Sequence, residues 1–137
     1  MQPRNLVLIL ARDLAEKLAT AMFLVDHEGT LVFFNETAEQ ILGRTFADIG
    51  RMSVADWSTA FAPAALDGQD LQAEELPLVI TLRERRPCHN QFKITGLDET
   101  EREIEVTALP LFARTDELVG AVAFFWELDR TPPGGGA

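Results

Sequence analysis

The chain has 137 residues, 47 % of them apolar and 25 % charged, which suits one domain with its own core and argues against both a two-domain enzyme and a disordered chain. Asp and Glu number 22 against 12 Lys and Arg, a formal charge of −10 that repels phosphate backbones and anionic bilayers, so neither nucleic acid nor a membrane is an expected partner. Cys88 is the only cysteine; it has no partner for an intrachain disulfide, no Cys/His cluster offers a zinc site, and the composition suits a reducing cytoplasm.

From Arg4 to Thr20 the spacing predicts an amphipathic helix, with Val7, Leu10, Leu14 and Leu18 on one face and Arg12, Asp13, Glu16 and Lys17 between them. Its apolar run Leu6–Leu10 is too short for a membrane span or a signal segment. Two short runs, residues 21–25 and 30–34, read as a β-hairpin around Asp26-His27-Glu28-Gly29. Asn35 then offers an N-cap for a helix over residues 36–42 that Gly43 stops. Short helices are expected at residues 46–49 and 53–60. A firmer helix is expected over 74–86, with Leu78 and Leu82 on one face, Pro77 in the first turn and Pro87 after its end. Three strands follow, residues 88–95, 101–111 and 118–128, and residues 130–137 read as a flexible tail or linker. The expected class is α+β.

The last strand carries apolar residues on both faces: Val119, Ala121, Ala123 and Phe125 on one, and Leu118, Val122, Phe124 and Trp126 on the other. Something must therefore cover each face, and the helical middle can cover only one. The N-terminal helix, from this chain or from a second copy, is the expected cover for Leu118, Val122, Phe124 and Trp126. A homodimer joined through Val7, Leu10, Leu14, Leu18, Val122, Phe124 and Trp126 follows. In the fourth strand Ile104, Val106 and Ala108 alternate with Glu103, Glu105 and Thr107, which gives it an apolar but not bulky inner face.

The stretch from Phe23 to Gly43, a hairpin with a D-x-x-G turn leading into an Asn-capped helix closed by Gly, resembles the opening of a PAS domain. The later helix ending at Pro87 agrees, as do the strands containing Val106-Thr107-Ala108-Leu109-Pro110-Leu111 and Val119-Gly120-Ala121-Val122, so the resemblance covers about residues 21–129 in order. It implies a non-catalytic sensory or interaction module in signal transduction. The implied fold is a five-stranded antiparallel sheet of order 2-1-5-4-3, with helices over one face enclosing a small cavity and an N-terminal helix that dimerises on the other. Members hold flavin, haem, small carboxylates, fatty acids or nothing, and act on a signalling partner. Where many members carry Asp-Ile-Thr at the end of the last strand, Glu127-Leu128-Asp129 stands here, which departs from the usual output signature.

Cys88 and His89 invite a nucleophile–base reading, but neighbours on a strand point to opposite faces and cannot meet as a dyad. Cys88 and Asn90 are expected to face inward and His89 outward. Two lone histidines, His27 and His89, make no metal site. The cysteine motif of photosensing flavin members is missing between Thr45 and Leu71, and Ile94 and Ile104 stand where flavin binders place Asn. No His lies in residues 74–86 to hold haem, and no Tyr exists for a coumaryl chromophore. No cofactor is expected. What remains is an inward apolar set, Leu78, Leu82, Phe92, Ile94, Ile104, Val106, Ala108, Ala121, Ala123 and Phe125, in which the alanines leave space for a small apolar ligand of fatty-acid or similar kind unless Trp57 and Phe61 fill it. The alternative is a small cone-shaped α+β enzyme of the ketosteroid-isomerase type. That chemistry needs an inward carboxylate base and a Tyr or acid donor, which the inner faces lack.

Overall fold

The computed structural model describes residues 3–17, 19–114 and 116–128. Strands β1 (Ala21–Asp26), β2 (Leu31–Phe34), β3 (Cys88–Thr95), β4 (Glu101–Arg114) and β5 (Glu117–Glu127) form one antiparallel sheet in the order β2-β1-β5-β4-β3. Helices α2 (Glu36–Leu42), α3 (Phe46–Ile49), α4 (Val54–Ala60) and α5 (Pro77–Glu84) connect β2 to β3, and α1 (Pro3–Lys17) precedes β1. This is the PAS fold, with the strand order expected from the sequence.

Local chemistry fixes the connections. In the β1–β2 turn the Asp26 carboxylate accepts from the backbone N–H groups of Glu28 and Thr30, and Gly29 takes φ 85, which a side chain would resist. Asn35 caps α2 through a bond from the Ala38 N–H, and Gly43 ends it in the left-handed conformation. The helix expected over residues 74–86 is shorter. A single 3-10 turn (Ala73–Glu75) gives way at Leu76, whose ψ of 140° is extended, before α5 begins at Pro77. The cause is steric: the proline ring disfavours helical backbone in the residue before it, so Pro77 starts the helix instead of sitting inside it. Arg85 closes α5 at φ 58, before Pro87 is reached.

The inner sheet face meets α2, α4 and α5 across one core that includes Phe23, Phe34, Ile41, Trp57, Phe61, Leu78, Ile104, Val106 and Phe125. The outer face has its own smaller cluster, in which Met22, Leu24, Phe33 and Val122 pack with Leu8 and Ala11 of α1. The N-terminal helix thus lies on the outer face of its own sheet, but with a different side from the one its heptad-like spacing suggests. Leu10 and Leu14 point away and are exposed, Val7 is half-buried, and Leu18 lies outside the described residues. The continuous apolar run Leu6–Leu10 satisfies two helical faces; on the one that meets the sheet, Leu8 and Ala11 pack into the cluster and the Arg12 guanidinium sits 4.7 Å above the Phe33 ring. Val122 is buried beneath the helix and Leu118 and Phe124 are half-buried, while Trp126 stays 41 % exposed.

Candidate functional site

Between the inner sheet face and the helical layer lies a cavity of about 80 Å³. Its floor is Phe92 and Ile94 from β3, Ile104 and Val106 from β4, Ala123 and Phe125 from β5, and Phe23 from β1. Leu42, Trp57, Ser58, Phe61, Pro63, Leu76, Pro77 and Leu78 close it from the helical side. The Trp57 indole is fixed by a 2.7 Å bond from its N–H to the Gly29 carbonyl and by edge-on packing against Phe23, with ring centroids 5.3 Å apart. Ser58 is the only polar side chain in the wall, and its hydroxyl donates to the Ala55 carbonyl at 3.5 Å. Among the described residues no titratable group lines the space, and so none is placed there as a general base or acid donor. By the cost of residual core cavities, leaving such a volume empty forgoes roughly 2 kcal/mol.

Seven of the ten inward residues expected at a ligand site do border it: Leu78, Phe92, Ile94, Ile104, Val106, Ala123 and Phe125. Leu82, Ala108 and Ala121 do not. Ala108 and Ala121 are fully buried, and over Ala108 sits Thr81 of α5, itself fully buried, whose hydroxyl reaches the Ala108 carbonyl at 3.4 Å. The small side chains there admit a close helix instead of leaving room. Leu82 turns toward the β1–β2 turn and Val54. Phe23, Leu42, Leu76, Pro63 and Pro77 were not anticipated. Phe23 shares parity with Val25 on the inner face and was legible from alternation, whereas Pro63 and Leu76 sit on irregular segments without a period to follow and Leu42 and Pro77 are the terminal residues of their helices.

The remaining candidates hold no chemistry together. Cys88 is half-buried at the start of β3, and Asn90, expected to face inward, is exposed. His89 lies on the outer face, where its ring contacts Thr107 Oγ1 and Glu105 Oε2, each at 2.8 Å, away from Cys88. His27 is exposed in its turn. Among the described residues no group of three His, Cys, Asp or Glu side chains is placed to hold a metal.

At one end of the cavity a polar clasp ties three elements. Arg102 of β4 donates to the Ile41 carbonyl at the end of α2 at 2.8 Å, pairs with Asp98 through both terminal guanidinium nitrogens, and approaches Glu127 at the end of β5 with its Nε at 3.5 Å. Leu42, next in sequence to Ile41, borders the cavity and its carbonyl accepts from the Leu97 N–H. The Arg102 hydrogen bond, helped by the Thr100 backbone N–H, holds the Asp98 carboxyl below its ordinary value. A depressed carboxylate contributes stability above its unfolded-state pKa and loses it as pH falls through the folded-state value. Acid denaturation followed by circular dichroism should therefore show stability falling below about pH 5, with a shallower fall in Asp98→Asn. An unchanged slope in that variant would show that the clasp does not contribute.

The sequence model of the PAS domain family matches residues 19–127. Among solved structures, the PAS domain of a protein from Colwellia psychrerythraea is 14 % identical, with 89 % of this chain and 97 % of that one covered at a TM-score of 0.64. The Rhodobacter sphaeroides LOV protein is 16 % identical, covering 95 % of this chain and 70 % of that one at 0.68. The PAS domain of nitrogen regulation protein NR(II) from Vibrio parahaemolyticus is 14 % identical, covering 87 % and 98 % at 0.60. No curated protein sequence matches the chain.

Proposed function

The chain belongs to the PAS domain family, whose members are signalling sensory modules, and on that premise we propose that it works as a non-catalytic sensor that dimerises through α1 and holds a small apolar molecule in its cavity. The observation that carries the sensing half is the space beneath the sheet, walled by apolar side chains and, among the described residues, by no titratable group. That same absence leaves the isomerase-type alternative without a base. A flavin or haem needs a far larger site, since pockets for ligands of drug size run to about 300–1,000 Å³.

The dimer half rests on the outward side of α1. Leu6, Ile9, Leu10 and Leu14 are 45–57 % exposed at spacings of three and four residues, a stripe that a lone domain leaves in water. A second copy presenting the same stripe would bury it isologously. The double variant Leu10→Glu/Leu14→Glu is expected to run as a monomer by light scattering while its circular dichroism spectrum stays that of the parent, because both side chains are at least half exposed and lie outside the buried clusters. A parent already monomeric at tens of micromolar, or a variant that remains dimeric, would remove α1 as the interface. A signalling protein as downstream partner and a cytoplasmic location complete the proposal. No helix among the described residues is long and apolar enough to cross a membrane.

A further inference from the structure

We infer that the cavity selects a compact, neutral, apolar guest smaller than benzene, of the class of dissolved gases and the smallest hydrocarbons, and rejects fatty acids and other carboxylates. This rests on the reading of the cavity as a ligand site and narrows it. The first argument is volume: about 80 Å³ is available, roughly half of the 150 Å³ or so in which an engineered apolar cavity takes up benzene or xenon. A chain of ten or more carbons does not fit such a space without displacing core side chains.

The second argument is the chemistry of the wall. A carboxylate or hydroxyl taken into the space needs partners there, and an unpaired buried charge is excluded outright. Both side-chain donors near the cavity are already engaged, the Trp57 N–H by the Gly29 carbonyl and the Ser58 O–H by the Ala55 carbonyl, so neither is left for a carboxylate. No buried side-chain nitrogen or oxygen among the described residues lacks a partner. Water that enters meets the same obstacle, since a buried water requires two to four polar partners, so it yields readily to an apolar guest. Size and wall chemistry thus exclude the same ligands independently.

The test is a xenon titration of the full chain under pressure, followed through the methyl resonances of Leu42, Leu78, Ile94 and Ile104, beside a fluorescence titration with a dansyl-labelled undecanoate. The expected result is saturable xenon shifts confined to methyls around the cavity and no rise in probe fluorescence. Ala123→Leu should abolish the xenon shifts by filling the space, and Ile94→Phe is the second filling variant should the first not fold. Binding of the long-chain probe in competition with xenon would overturn the size limit and leave the ligand-sensor reading standing. No response to either probe would overturn both.

Discussion

Gly120→Ala is expected to leave little folded protein, because among the described glycines its added methyl makes the closest approach to a neighbour. Gly120 lies in the central strand β5, opposite Asp26 of β1 and Leu111 of β4. A Cβ there would press on the Val25 carbonyl oxygen far inside contact distance, 3.2 Å from the Asp26 Cα and 3.3 Å from Leu8 Cδ2 of α1. Two of these three neighbours are backbone, so no rotamer change relieves the clash. Relief requires β1 to part from β5 and α1 to lift off the outer face. Overpacking that backbone must absorb belongs to the exceptional losses above about 4 kcal/mol, against a total stability of about 5–15 kcal/mol. Gly50→Ala is the control: nothing lies within 4 Å of its Cβ position, and only its φ of 69 opposes a side chain. Its ψ of −163 places it in a region that glycine alone occupies readily, so the change should cost about 1–3 kcal/mol. Urea denaturation of the two variants separates the mechanisms, and a Gly120→Ala protein as stable as Gly50→Ala would contradict the steric account.

The fold was legible because its signals are local and mutually consistent. Period-two alternation marked β4, the Asp26–Gly29 turn marked the first hairpin, and Asn35 with Gly43 bounded α2. Three features were not legible, each for its own reason. The side of α1 that meets the sheet carries contacts only the fold creates, Arg12 over Phe33 and Leu8 against the bare backbone at Gly120. The cavity walls from Leu42, Pro63, Leu76 and Pro77 come from segments far apart in sequence, joined only by the helical layer. The alanines of the inner face misled most. A run of small residues says only that something comes close or that nothing does, and at Ala108 it is Thr81 of α5 that comes close. Ala123 alone among the three borders open space.

Asn35→Ala should cost about 3 kcal/mol, because one side chain completes both a helix and a strand ladder. At the end of β2 the chain must leave the sheet and enter α2, so the Asn35 carbonyl is turned into the helix, where it accepts from the Glu39 N–H at 3.0 Å. A continuing strand would have used such a carbonyl to accept from Met22. The side-chain oxygen takes its place, accepting from the Met22 N–H at 3.0 Å and from the Ala38 N–H at 3.1 Å, while the side-chain nitrogen donates to the Thr20 carbonyl at 2.9 Å. Met22, Asn35 and Ala38 are all buried, so water cannot replace these bonds. Loss of an N-cap costs about 1 kcal/mol, and each buried donor left without an acceptor adds roughly 1–3 kcal/mol. Asn35→Ser keeps an oxygen within reach of the Ala38 N–H but is too short to span to β1, so it should fall between Asn and Ala. In a domain of this size the alanine variant should melt about 10 °C below the parent by circular dichroism. Equal losses for Ser and Ala would place the whole effect in the link to β1, and a loss below about 1 kcal/mol for Ala would show that the cap alone matters.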